Sequence, residues 1–227
     1  MKKIMFNDRY GLTQAVIEGR KIMTRREIKA PRRFRGQDVN GFWVYRRPDT
    51  REVVEVCMKD YDDFAIEGGQ IFPKYKLGEV VAVAQRYSTI AAGHPDVDTF
   101  LLHVAKAHKI SLESVQDLAG WNNKMFTKAE LMPHQIRITG IHCERLQDIS
   151  DEDCIKEGIF VNEYVGNGKK CHHYGFDGFF DETAGWFARG WYNTPRKAFA
   201  TLIDKVSGRG TWGLNPWVVV YEFELVK

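Results

Sequence analysis

Residues 11–26, GLTQAVIEGRKIMTRR, place a lysine and a hydroxyl, Lys21 and Thr24, three residues apart just beyond a helix stop at Gly19, and follow them with Arg25 and Arg26. If the backbone turns between Lys21 and Thr24, both side chains converge on one pocket. A threonine hydroxyl is a poor nucleophile until something takes its proton. A lysine beside it can take that proton once burial and neighbouring cations such as Arg25 or Arg26 lower its pKa. Taken alone, the same string also reads as a solvated basic loop, the commoner fate of a Gly-Arg-Lys sequence. A second residue, Glu157, sits in the last turn of a well-punctuated helix, one position before Gly158. A carboxylate there faces the negative end of the helix dipole, at about 0.3–1 kcal/mol when exposed. By itself Glu157 reads more simply as an exposed group offset by Lys156.

The elements that must position these residues follow from periodicity and capping. The pattern Leu12, Ala15, Val16 predicts a helix over 10–18 ending at Gly19. A strand follows, with Ile22, Thr24 and Arg26 on one face and Met23 and Arg25 on the other, broken by Ala30-Pro31. Residues 42–45 and 53–58 read as two strands around a turn at 46–49, and residues 80–84 as a short strand buried on both faces. Residues 97–118 read as helix in two pieces, the second capped by Ser111. Residues 136–143 alternate as a strand with Gly140 a candidate bulge. Ser150 caps the helix that ends at Gly158, with Asp151 and Glu152 favouring its positive end. Thr194-Pro195 opens a helix with the stripe Phe199, Leu202, Ile203, Val206. The last strand, 217–225, alternates Trp217, Val219, Tyr221, Phe223 and Leu225 against Glu222 and Glu224. Strands scattered among short helices predict an α+β domain on a mixed or antiparallel sheet, not a doubly wound fold.

The Gly-Arg-Lys string with its later Thr-x-Arg, here Gly19, Arg20, Lys21, Thr24 and Arg26, resembles the ASCH family of PUA-like domains. Four further stretches are similar to its phage and mobile-element branch: KLGEVVAVAQ at 76–85, NKMFTKAELMPHQIRITGIHCER at 123–145, LQDISDEDCIKEG at 146–158, and 195–225 with GRGTWGLNPWVVVYEFEL. One position departs from the pattern: many members carry Thr directly after the Lys, where this chain has Ile22, so Thr24 is the only hydroxyl of the motif. The resemblance implies a single domain over 1–227, a PUA-like open β-barrel with flanking helices, interrupted by insertions at 88–122 and 160–193, the second of them loop-like. Some ASCH proteins are amidohydrolases that remove the acyl group of N4-acetylcytidine with a Lys, a Thr and a Glu. Carried over, these fall on Lys21, Thr24 and Glu157, implying Thr24 as nucleophile, Lys21 as base and Glu157 as proton donor. Water attack with Thr24 only orienting fits the sequence equally well.

The first reading of this pocket is recognition of a nucleoside, a modified base or RNA, since PUA-like domains commonly bind RNA or modified bases, and hydrolysis is its alternative. Arg25, Arg26, Lys124 and Lys128 are the candidate phosphate contacts, and Trp212, Trp121 and Tyr87 the candidate stacking faces, while Trp217 falls on the apolar face of its strand and reads as core. The net charge of +3 gives no strong global field, but Arg20, Lys21, Arg25, Arg26, Lys29, Arg32, Arg33 and Arg35 crowd together with Glu27 the only acid among them.

At 227 residues, 44% hydrophobic and 13% aromatic, the chain is long and apolar enough to bury a substantial core. Its start, MKKIMF, turns polar too quickly for a secretory signal, and no run of about 18 apolar residues exists to span a membrane. Cys57, Cys143, Cys154 and Cys171 form no C-x-x-C pair, which makes a reducing cytoplasm the expected compartment. Cys171-His172-His173 has ligand-type residues, but adjacent side chains point apart, so no metal or cofactor is expected. No P-loop and no G-x-S-x-G elbow is present.

Overall fold

The computed structural model describes residues 1–46, 48–49, 53–166, 169–178 and 191–226. Twelve strands are seen among them: β1 (Lys3–Ile4), β2 (Met23–Glu27), β3 (Arg33–Phe34), β4 (Gln37–Asp38), β5 (Gly41–Arg46), β6 (Val53–Lys59), β7 (Ala65–Gln70), β8 (Val80–Val83), β9 (Gln135–Arg145), β10 (Phe160–Gly166), β11 (Lys169–Gly175) and β12 (Trp217–Leu225). Seven helices accompany them: α1 (Leu12–Ile17), α2 (Tyr87–Gly93), α3 (Val97–His108), α4 (Ala119–Asn122), α5 (Asp151–Lys156), α6 (Pro195–Ser207) and α7 (Thr211–Leu214). The fold is α+β.

An eight-stranded mixed sheet forms the centre. Its main path runs β1-β8-β9-β12-β2, with β6 branching from β9 and carrying β5 and β7. Among the described residues only β1 against β8 is parallel. Among the described residues the ends of the path, β1 and β2, do not pair with each other. The long strands β9 and β12 are the axis. Their register skips one residue opposite Glu222 and Phe223, which pair with Gly140 and Ile138. This is the bulge expected at Gly140, where a Cβ would lie 3.1 Å from the Glu222 carboxyl carbon.

Burial along β12 departs from the alternation read in its sequence. Val218 and Val220 are as buried as Trp217, Val219 and Tyr221, because helices and loops cover both faces of this central strand, and polar Glu222 and Glu224 emerge only toward its end. Leu225, expected on the core face, is 38% exposed. The segment 160–193, expected to be loop-like, is largely a hairpin where described: β10 pairs antiparallel with β11 from Phe160↔Gly175 to Gly166↔Lys169, and Tyr174 bridges to Tyr192. Phe160, Val161 and Val165 on one strand and Tyr174 on the other are good strand formers and suit that pairing. Residues 167–168 and 179–190 of this segment lie outside the described residues. The piece expected to be a helix from Ser111 is a short 3-10 turn, Glu113–Asp117.

Two apolar clusters result. The main core lies between the sheet and α1, α5 and α6, around Ile4, Leu12, Val16, Ile136, Phe199 and Val220. The second packs Tyr87, Ile90, Phe100, Val104 and Val115 of the α2–α4 segment against Ala82, Ala129 and Met132. No helix among the described residues is long and apolar enough to cross a membrane.

Candidate functional site

Local backbone chemistry brings Lys21 to the end of α5. Helix α1 starts from a left-handed Gly11 and buries Leu12, Ala15 and Val16. Gly19, at φ 72°, turns the chain back beneath it. The Lys21 amide then donates to the Ala15 carbonyl at 2.9 Å, and the Ile22 amide donates to the Lys156 carbonyl at 2.9 Å. Helix α5 begins at Ser150, whose hydroxyl accepts from the Asp153 amide, and ends with Glu157 as its C-cap. The Gly158 amide donates to Ile155 and the Ile159 amide to Cys154, a Schellman motif that needs the left-handed Gly158 at φ 103°.

Three residues singled out by the sequence, Lys21, Thr24 and Glu157, therefore line one cavity of about 370 Å³. All three are buried, Lys21 to 2% exposure. The Lys21 ammonium lies 2.6 Å from Glu157 Oε2 and donates to the Glu157 carbonyl at 2.7 Å. Burial pulls the Lys21 pKa below its ordinary value; the charge and hydrogen bond of Glu157 oppose that shift, and the nearby Arg26 and Arg25 charges add to it. Thr24 pairs with Tyr221 on β12 and, among the described residues, its hydroxyl makes no hydrogen bond. Glu157 is not the screened, exposed carboxylate that its helix-end position suggests. Lys156, its expected partner, pairs instead with Asp153 at 2.9 Å.

Arg25 has a different part from the phosphate contact expected of it. Its side chain is fully buried and meets three carboxylates: Glu144 from Nε at 2.7 Å, Asp153 from Nη2 at 3.2 Å and Glu157 from Nη1 at 3.2 Å. It thus bolts β2 to β9 and α5, and fixes the second oxygen of Glu157. Burial disfavours its charge, but Glu157 and Glu144 outweigh that and raise its pKa. Arg26 does reach the cavity. Its guanidinium lies 5.5 Å from the Phe6 ring centre, donates to the Met5 carbonyl at 2.6 Å, and has no carboxylate partner among the described residues.

The other expected ligand contacts lie elsewhere. Lys124 is tied to the Phe6 carbonyl, Asp8 and Thr13, a structural brace between the chain start and the 124–126 turn. Lys128 donates to the Ala107 carbonyl beside the second cluster. Trp212 packs edge-on against Phe199 with Arg196 5.3 Å from its ring centre, outside the cavity lining. Tyr87 is fully buried and hydrogen-bonded to His108, and Trp121 packs on the same cluster, so neither is an open stacking face. His172 meets Glu163 across the β10–β11 hairpin at 3.0 Å, and no group of three metal-ligating side chains occurs among the described residues.

Two parts of the cavity were not singled out by sequence. Phe6 and Asn7 enter from the segment after β1, and α6 supplies Phe199, Leu202, Ile203 and Val206. The α6 stripe was legible as an apolar face; Phe199 and Leu202 are buried in the main core, and with Ile203 and Val206 they also form an apolar wall facing the Lys21–Glu157 pair. No family model matches this chain, and no curated relative or solved structure matches it either.

Proposed function

We propose that the chain is an ASCH-type, PUA-like domain and that this cavity takes the base of a modified nucleoside and hydrolyses an acyl group from its exocyclic amine, as in N4-acetylcytidine. The observation that carries the reading is the buried 2.6 Å Lys21–Glu157 contact in the wall of a cavity that also presents the Thr24 hydroxyl, which bonds no group among the described residues. About 370 Å³ is at the small end of ligand pockets, suited to a nucleoside base rather than a large cofactor. One apolar wall from α6 and one charged wall from β2 and α5 suit a flat ring with a polar edge.

A proton held between Lys21 and Glu157 supplies both halves of acyl transfer. With that proton on Glu157, Lys21 is a free amine. Lys21 then takes the proton of Thr24, or of a water oriented by Thr24, as the oxygen attacks the acyl carbon. When the C–N bond breaks, Glu157 protonates the departing amine. In the Thr24 route Glu157, now ionised, takes the proton of a water that attacks the acyl-threonine ester, and Lys21 returns its proton to the Thr24 oxygen as the carboxylic acid leaves. Arg25 touches no reacting atom in this scheme; it positions Glu157. The mixed sheet and the meeting of the three motif residues support the ASCH reading, and the open PUA-like barrel is part of the proposal.

Recognition without hydrolysis is the second reading, favoured by Arg26 on the cavity wall, a cation with no carboxylate partner among the described residues. The deciding experiment incubates the purified protein with N4-acetylcytidine and follows cytidine release beside Glu157→Gln and Lys21→Ala, with circular dichroism to verify folding. Release by the wild type and loss in both folded variants is the expected result. Saturable binding of N4-acetylcytidine without release would leave recognition standing. Neither binding nor release would overturn the proposal.

A further inference from the structure

A second cavity of about 330 Å³ adjoins the first, and Arg26, Glu27 and Lys29 line both. Its interior is apolar, with Ile28, Ile71 and Val219, and its polar groups are already engaged. The Tyr75 hydroxyl donates to the Lys3 carbonyl at 3.0 Å and the Tyr221 hydroxyl accepts from the Lys74 amide at 2.8 Å. At its rim Phe72 is 82% exposed, next to Pro73. An exposed phenyl ring beside a proline at the mouth of a cavity is a stacking platform in search of a flat partner.

Charge argues for what joins the two cavities. The Glu27 carboxylate is taken up by Lys29 at 3.6 Å. Among the described residues Arg26 between the cavities has no carboxylate, and Lys74 stands on the second cavity with its ammonium 5.4 Å from the Tyr75 ring centre. Cavity, cation, cavity matches base, phosphate, base.

We propose that the cavity behind Phe72 is a second nucleotide subsite, so that the ligand is single-stranded RNA with the modified base in the first cavity, a neighbouring base against Phe72, and the connecting phosphate at Arg26. The inference rests on the nucleoside reading of the first cavity.

The test compares, by calorimetry, N4-acetylcytidine with a trinucleotide carrying N4-acetylcytidine between two uridines, for the wild type, Phe72→Ala and Arg26→Gln, using Glu157→Gln as background to prevent turnover. The trinucleotide is expected to bind more tightly than the nucleoside. Phe72→Ala is expected to weaken the trinucleotide by about five- to 150-fold, the effect of losing one stacked base, and so to shrink its advantage over the nucleoside. Arg26→Gln is expected to reduce the slope of log K against log salt by about 0.7, one phosphate of a single strand. Equal affinity for nucleoside and trinucleotide, or a trinucleotide advantage that survives Phe72→Ala, overturns the second subsite and leaves the first cavity's reading intact. Binding of neither probe overturns the nucleoside reading and the subsite with it.

Discussion

Lys21 is both a structural ion and the proposed base, and the two roles respond differently to substitution. Removing one partner of a buried pair leaves a charge without its counter-ion, whereas replacing both by apolar groups is often neutral or stabilising. Lys21→Met is therefore expected to destabilise the fold by about 3 kcal/mol, the low end for a broken buried pair because Arg25 still meets Glu157. Lys21→Met/Glu157→Leu is expected to recover most of that loss in urea unfolding midpoints while releasing no cytidine. A double variant as unstable as the single one would mean that the pair stabilises the native state beyond mutual neutralisation. Thr24 makes the complementary case. Its hydroxyl bonds no described group, so Thr24→Val should change stability by less than about 1 kcal/mol. If Thr24 is the nucleophile, that variant loses turnover completely; a slow residual release with unchanged folding would assign the attack to water.

The turn after α5 is where secondary structure becomes site geometry. Gly158 is left-handed, and a Cβ there would sit 3.4 Å from Leu12 Cδ2 and 3.6 Å from Lys21 Cβ and Cδ, ordinary contact distances. The penalty of Gly158→Ala is thus conformational, about 1–3 kcal/mol for a non-glycine residue held in that region. It should appear as a lower Tm with cytidine release per folded molecule retained. Loss of release in a fully folded variant would show that the α5 turn sets the position of Glu157 more tightly than packing suggests. Punctuation made this element readable: Ser150 at its start and Gly158 at its end fixed α5 in the sequence, and Gly19 fixed the turn that carries Lys21. What escaped was the bolt. Asp153 and Glu157 are four residues apart, hence on one helical face, and that face is turned inward; two inward carboxylates demand a cation, and Arg25 is the buried arginine that answers them. The position of Trp212, Lys124 and Lys128 was not legible because residue type announces a capacity to bind, while tertiary packing decides whether the side chain is already engaged.

At the scale of the molecule, Arg25 links β2, β9 and α5 through Glu144, Asp153 and Glu157, so its charge network couples the edge of the sheet to the helix that bears the proposed acid. Burial by itself would raise the Glu144 pKa, but the His142 hydrogen bond and the charge and hydrogen bond of Arg25 outweigh it and hold the group below its ordinary 4.5. Burial likewise opposes ionisation of Asp153, and the Lys156 hydrogen bond and the Arg25 charge hold it below its ordinary 3.8. A carboxylate whose folded-state pKa is depressed stabilises the native state at every pH above its unfolded value, and that contribution disappears as pH falls through the folded value. Wild-type Tm is therefore expected to be level with respect to these two groups from pH 7 down to about 4.5, then to fall as acid discharges them. Arg25→Met removes the cation they share, so the variant should be less stable at pH 7 by about 3–5 kcal/mol, the effect of breaking a buried charge network from one side. Because protonation relieves the stranded carboxylates, the Tm difference between wild type and Arg25→Met should narrow below pH 4.5. A difference that stays constant from pH 7 to pH 3 would mean that Arg25 stabilises the fold by packing its stem between β2 and α5, and that the three carboxylates are held by other partners.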